Sequence, residues 1–177
     1  MLNISFLPES DREDFSNAIA EYTEIWKTDG ERIVTTLEKY AGLSFQEKTI
    51  NALVFESKFQ NHSVPLILRA GLNRILKQTT LTHELGHRLL FRQMPGMKDR
   101  SRLDVHKLLY LILGDVFVEL FGQEIFLYAQ QRDEEVGGDY RAAWEWVKVM
   151  SLKERTECFA AIRNGDITRL DLTIQAL

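Results

Sequence analysis

The chain has 177 residues, of which 45% are hydrophobic and 27% are charged, and its formal net charge is −4. This length and composition fit one globular domain with a sizeable apolar core and exclude a disordered chain. Acidic and basic residues are interspersed, so the concentrated basic face of a nucleic-acid-binding protein is not evident.

Three further features concern location. The longest apolar run, residues 108–121, is too short and too charged to span a membrane. Cys158 is the only cysteine, so the chain cannot form an internal disulfide. Residues 1–8 lack the pattern of a signal peptide. We therefore expect a cytoplasmic protein.

The first quarter of the chain is predicted to form one strand and two helices. Alternation of apolar and polar residues over 2–6 indicates a short strand. A capping box of Ser10 and Glu13 predicts the start of a helix that stops at Asp29-Gly30. A second helix is predicted to end near Gly42.

The central part is predicted to contain two strands followed by a helix. Residues 49–55 and 64–69 are short aliphatic runs joined by a polar segment, which is typical of two strands, with a hairpin as one arrangement. Pro65 cannot donate to a ladder, so the second strand belongs at a sheet edge or begins at the proline. The pattern becomes helical over residues 72–91, and Pro95-Gly96 closes that helix.

The remainder is predicted to be helical. A helix capped by Ser101 and ending at Phe121 is apolar on nearly every face, which indicates a buried central element. Two more helices are predicted over residues 140–150 and 151–162. The whole pattern predicts an α+β fold.

In this fold, residues 1–177 form a mostly helical single domain with a small mixed sheet packed against the helix over residues 72–91. Its core spans about residues 49–121. A helical extension follows over about residues 139–163.

The helix predicted over residues 72–91 contains the motif His83-Glu84-Leu85-Gly86-His87. Residues four apart lie on one face of a helix, so both imidazoles can bind one metal ion, for which Zn2+ is the best match. Glu84 lies beside that metal rather than on it, where it can take a proton from metal-bound water. The sequence therefore predicts a zinc site in which Glu84 is the catalytic residue.

From Thr80 to His87 the chain resembles the zincin metallopeptidases, although Arg88 stands where that family usually has an uncharged residue. The order of two strands, motif helix and second helix over residues 49–121 also resembles the minimal core of gluzincin-like and SprT-like zincins. The resemblance implies a zinc metallopeptidase that acts on a peptide or protein substrate. It also implies that residues 63–69 form the edge strand along which an extended peptide binds.

A catalytic zinc needs a third protein ligand, for which His106, Asp115 and Glu119 are the candidates in that order. The metzincin arrangement is excluded, because Leu90 and Gln93 occupy its glycine and histidine positions. His106 is favoured because the next helix, running back alongside, returns to the depth of the metal about five residues after its start. Asp115 lies inside an apolar run, where an unpaired carboxylate is costly to bury, and Glu119 lies one turn later. His106 and Asp115 are about 180° apart on an ideal helix, so both cannot face one metal.

Two classes of function remain open. In the favoured one, Glu84 activates zinc-bound water against a peptide carbonyl and then protonates the leaving amine. A donor for the developing oxyanion is expected from Tyr110, Tyr140 or a histidine not bound to zinc. The alternative is a non-catalytic, zinc-stabilised regulatory or protein-binding module.

Overall fold

The computed structural model describes residues 2–56 and 61–166. Within these ranges the chain contains six α-helices and one three-stranded sheet, so the predicted α+β class is confirmed. By their internal contacts the residues group into two compact units, 1–89 and 90–177. The single domain expected over residues 1–177 stays a prediction.

The first unit contains the sheet, which is made of β1 (Asn3–Pro8), β2 (Thr49–Phe55) and β3 (Leu66–Arg69). Its order is β1-β2-β3, and both pairings are parallel. Alternate side chains of each strand are buried, except at the exposed Pro8, as expected when one face of a sheet meets a core. These inward side chains are Ile4, Phe6, Ile50, Ala52, Val54, Leu66 and Leu68.

The prediction of a hairpin between the two central strands, and with it a mixed sheet, was wrong for the described residues. β2 and β3 run in the same direction, with Ala52 opposite Leu66. Within the described residues the chain reverses just before β3, where His62 forms an isolated antiparallel bridge with Ile67. Pro65 lies in this turn, directly before the first residue of β3.

Helix α1 (Glu13–Ala41) is one element of 29 residues, whereas two helices were predicted. It runs through Asp29-Gly30, where the glycine makes room for the indole of Trp26 and does not end the helix: a Cβ at Gly30 would lie 2.7 Å from Trp26 Cδ2. The predicted capping box at Ser10 was also wrong, since the N-cap is Arg12 and makes no side-chain cap hydrogen bond. The predicted stop at Gly42 is confirmed, with a left-handed backbone at φ 60°.

Helix α2 (Arg74–Gln93) carries the motif and follows β3 after a short connection, as the sequence predicted. Leu81 and Leu85 are fully buried on it, one turn apart, and Leu89 is 2% exposed. This apolar stripe indicates why the segment is helical, because residues spaced by three or four share one face of a helix. The same helix also buries polar side chains, among them Thr82, whose hydroxyl donates to the Gln78 carbonyl at 2.9 Å.

The second unit is helical. A 3-10 turn at Met97–Asp99 precedes α3 (Arg102–Phe121), and α4 (Gln123–Val136), α5 (Gly138–Lys148) and α6 (Leu152–Asn164) follow. Each of α4, α5 and α6 packs against α3, which is therefore the central element expected from its apolar sequence. Ser101 caps α3 by accepting from the Asp104 amide at 3.1 Å.

Helix α4 was not predicted, and only Ala129 and Gln130 are buried on it. Its sequence groups its apolar residues in one block instead of spacing them by three and four, so the helical period is weak. The predicted helices over residues 140–150 and 151–162 correspond to α5 and α6. Among the described residues, no helix has both the length and the apolar composition to cross a bilayer.

Candidate metal centre

Helix α2 brings His83 and His87 together on one face, because they are separated by one helical turn. Their ring centroids lie 4.6 Å apart at an interplanar angle of 72°. Both side chains are buried, with 8% and 7% of their surface exposed. Two imidazoles held at this separation can direct one nitrogen each toward a common ion.

Glu84 lies next to His83 on α2 and is buried as well. Its charge acts on Tyr22, a fully buried residue of α1. Burial is the largest cause that raises the pKa of the Tyr22 phenol, the nearby Arg69 opposes it, and the charges of Glu21 and Glu84 add to it. The Tyr22 hydroxyl donates to the Arg69 carbonyl at 3.0 Å. A carboxylate is thus placed beside the histidine pair in a site with little exposure to water.

His106 lies near the start of α3, where it is 5% exposed. Its Nδ1 lies 2.9 Å from the Arg102 carbonyl oxygen. Because a carbonyl oxygen can only accept, Nδ1 carries the hydrogen and the lone pair is on Nε2. Burial lowers the pKa of His106, which favours the neutral ring that binds metals. This backbone contact is typical of a metal-binding histidine.

Two tyrosines flank the His106 ring. The Tyr140 ring centroid lies 4.5 Å from that of His106, and the Tyr110 centroid lies 5.9 Å away in an edge-on arrangement. The Tyr110 hydroxyl donates to Asp133 at 2.6 Å. Tyr110 was a candidate oxyanion donor, but its hydroxyl proton is directed at Asp133, and the role of Tyr140 stays a prediction. Asp133 lies on α4, which was not predicted, so it was not among the candidate residues.

Three buried histidines form a group that could hold one metal ion: His83 and His87 on α2, and His106 on α3. Three imidazoles are a donor set that fits Zn2+. The described residues contain no other His, Cys, Asp or Glu group with this property. That His106 is the third ligand stays a prediction.

The two alternative third ligands lie elsewhere on α3. Asp115 accepts from Arg155 Nη2 through both carboxylate oxygens, each at 2.8 Å. This contact explains how a carboxylate is tolerated within the apolar run, since a guanidinium balances its charge. Glu119 is exposed. Neither residue belongs to the histidine group.

Arg88 departs from the usual zincin pattern, and its contacts indicate why. Its guanidinium binds the Glu47 carboxylate through Nε at 3.1 Å and through Nη2 at 2.6 Å. It also donates through Nη1 to the Ser63 carbonyl at 2.7 Å. Arg88 therefore joins the motif helix to the segment that leads into β3.

The expected substrate strand is shorter than predicted and is not open at its outer edge. β3 comprises residues 66–69, and residues 63–65 form a turn before it. At the outer edge, His62 exchanges backbone hydrogen bonds with Ile67, and the Asn61 side chain accepts the Arg69 amide proton. A peptide that added to this edge would have to replace these contacts.

The chain was compared with protein-family models, curated proteins and solved structures, and none of the three comparisons gave a match. The resemblance to zincins therefore depends on the motif and on the order of elements around it.

Proposed function

We propose that this chain is a zinc-dependent metallopeptidase of the zincin type. One observation carries the proposal: two buried imidazoles lie one helical turn apart on α2 with a buried glutamate between them in sequence, and the buried His106 could join them on one metal ion. A hydrolytic zinc site needs three protein ligands, an open position for water and a nearby base, and three histidines with an additional carboxylate can supply the ligands and the base.

In this proposal His83, His87 and His106 hold the ion and Glu84 handles the proton. A bound zinc ion supplies Lewis acidity, which lowers the pKa of water and polarises a carbonyl group. Glu84 accepts one proton as water attacks the amide carbon, and it donates that proton to the nitrogen as the carbon–nitrogen bond breaks. Its low exposure supports this role, because a carboxylate shielded from bulk water retains the proton between the two steps.

A structural zinc site in a non-catalytic module is the second candidate. The observation that favours it is the deep burial of the site, since all three histidines and Glu84 are at most 8% exposed. A purely structural zinc normally has four protein ligands, and no fourth His, Cys, Asp or Glu belongs to the described group. The peptidase is therefore the better-supported proposal.

The test combines metal analysis with hydrolysis of fluorescently labelled casein. We expect one zinc per chain, and we expect chelation to abolish hydrolysis. Glu84→Gln keeps the size of the side chain and removes its basicity, so it should retain zinc while hydrolysis falls by at least about 100-fold. Glu119→Gln is the matched control, because Glu119 is exposed on α3, and it should retain both zinc and activity.

The outcomes separate the candidates. Full zinc content with no hydrolysis by the wild-type protein favours the structural module. Undiminished hydrolysis by Glu84→Gln refutes the mechanism, and absence of zinc refutes both candidates.

A further inference from the structure

β3 is an edge strand, and its outer side is the part of the sheet to which another extended chain could pair. In a parallel ladder, alternate residues direct both backbone groups to the same side. Ile67 and Arg69 direct theirs away from β2, as their contacts with His62, Asn61 and Tyr22 show. Exposed backbone groups of this kind bind peptides by strand addition.

Residues 61–65 (the strap) occupy this outer side. The Ile67 amide donates to the His62 carbonyl at 2.8 Å, and the His62 amide donates to the Ile67 carbonyl at 3.0 Å. Next to them, Asn61 Oδ1 accepts from the Arg69 amide at 2.9 Å. The turn is supported from within, because His62 Nδ1 accepts from the Val64 amide at 3.2 Å.

Arg88 and Glu47 act together as a latch on the strap. Arg88 Nη1 donates to the Ser63 carbonyl at 2.7 Å, and Glu47 binds the rest of the same guanidinium. Both side chains are largely buried, with 10% of Arg88 and 16% of Glu47 exposed. Of the latch residues, Arg88 is on the motif helix, where it directly follows His87.

We propose that the strap is an internal competitor that an extended peptide must displace from the edge of β3, and that the latch sets how firmly the strap is held. This inference deepens the proposed function and rests on it, because a peptidase must hold an extended peptide near Glu84. A peptide running antiparallel to β3 offers Ile67 the same two backbone hydrogen bonds as the strap. It can also accept from Arg69 with a backbone carbonyl in place of Asn61.

The strap and a bound peptide therefore make the same number of hydrogen bonds to β3. The hydrogen bond between Arg88 and Ser63 is an additional contact that stabilises the strap. Loosening the strap should strengthen peptide binding, and locking it should prevent binding.

The first experiment loosens the strap in a Glu84→Gln background, so that bound peptide is not cleaved. Asn61→Ala removes the acceptor for the Arg69 amide, and Asn61→Asp keeps an oxygen there as the matched control. Fluorescein-labelled β-casein serves as an extended chain, and its anisotropy measures binding. We expect Asn61→Ala to bind about three- to tenfold more tightly, the worth of one net hydrogen bond, and Asn61→Asp to bind no more tightly than its parent.

The second experiment locks the strap with a disulfide in the same background. His62 and Ile67 are directly opposite each other in the antiparallel bridge, at a spacing that a disulfide can span. The double variant His62→Cys, Ile67→Cys should lose casein binding when oxidised and regain it on reduction. Zinc content, measured in both states, should not change.

Equal binding by the oxidised and reduced forms overturns the proposal, as does the absence of casein binding by every variant. Hydrogen exchange at the Ile67 amide reports opening of the strap whether or not the protein hydrolyses anything. Faster exchange in Asn61→Ala without tighter binding also overturns the proposal. Failure of the proposed function is distinct, because it appears as absent zinc or absent hydrolysis in the wild-type protein.

Discussion

The two halves of α3, a largely apolar helix, each accommodate a polar side chain, and they do so in different ways. Near its start, His106 is buried, and its Nδ1 hydrogen is donated to the carbonyl of Arg102 on the same helix. In its second half, Asp115 is half-buried, and both of its oxygens accept from Arg155 on α6. The first arrangement keeps a neutral ring with a lone pair on Nε2, whereas the second neutralises a charge.

This difference teaches which polar residue of an apolar helix can bind a metal. Burial alone does not distinguish the two residues, because a polar side chain in an apolar run costs free energy unless it has a specific partner. The partner decides between them: a cation at Asp115 would have to compete with Arg155, whereas His106 belongs to the histidine group that could hold a metal ion. We therefore expect the two residues to respond differently to the same substitution.

The largest effect is expected for His106→Ala. Removal of one of three ligands should weaken zinc affinity by more than about 100-fold, which is beyond the usual cost of changing a residue that only supports a ligand. Elemental analysis after dialysis, with competition against a fluorescent chelator, measures the change. His62→Ala is the matched control, because His62 is the one histidine outside the group, and it should retain zinc.

Asp115→Ala provides the reciprocal test on the same helix, and it should keep full zinc content. Loss of zinc in Asp115→Ala together with its retention in His106→Ala would reverse the comparison. The third ligand would then be the carboxylate.

A smaller effect, on the free energy of unfolding, is expected for Asp115 in the second half of α3. Asp115→Ala leaves the Arg155 guanidinium without its carboxylate in a half-buried position, and we expect a loss of about 1–2 kcal/mol. Urea denaturation of the zinc-free protein measures it. In the double variant Asp115→Ala, Arg155→Ala the loss should be less than the sum of the single losses, because the two residues act on each other. Additive losses would show that the pair contributes nothing.

The sequence was sufficient to predict α3 and the motif helix, because a capping serine and a long apolar run mark α3 and a periodic apolar pattern marks the motif helix. It failed where a close approach or a distant partner decides the structure. At Asp29-Gly30, where a stop was predicted, the helix continues. The glycine there makes room for the indole of Trp26. The parallel pairing of β2 and β3 depends on where the chain reverses, and a turn signal does not specify which strands it joins.

The same limit applies to the candidate site. His83, Glu84 and His87 are identified by their spacing on one helix, which is a local property. Ranking His106 above Asp115 required an estimate of where a second helix returns, and the salt bridge that neutralises Asp115 involves Arg155, forty residues further along the chain. Asp133 had no signal at all, because α4 has a weak helical period. Contacts between distant segments are what the sequence left open.

The smallest effect is expected for Asp133, a carboxylate near α3 that uses a third arrangement. One of its oxygens accepts from the Tyr110 hydroxyl at 2.6 Å and from Trp144 Nε1 at 3.0 Å, and both donors are neutral. Burial raises the pKa of Asp133 above its ordinary value of 3.8, although these hydrogen bonds lower it. Asp133→Asn keeps an oxygen for both donors, so we expect a stability change within about 1 kcal/mol near neutral pH.

The pH dependence of this variant tests the cause of that raised pKa. Because the folded protein holds the Asp133 proton more tightly than the unfolded chain does, Asp133 stabilises the fold fully below pH 3.8, and this contribution is lost as pH rises through the raised pKa. Denaturation at a series of pH values should therefore show the wild-type advantage over Asp133→Asn decreasing from acid pH upward and then levelling. An advantage that grows with pH would mean that the two hydrogen bonds outweigh burial. Asp133 would then resemble Asp115, as a carboxylate that the fold stabilises in its charged form.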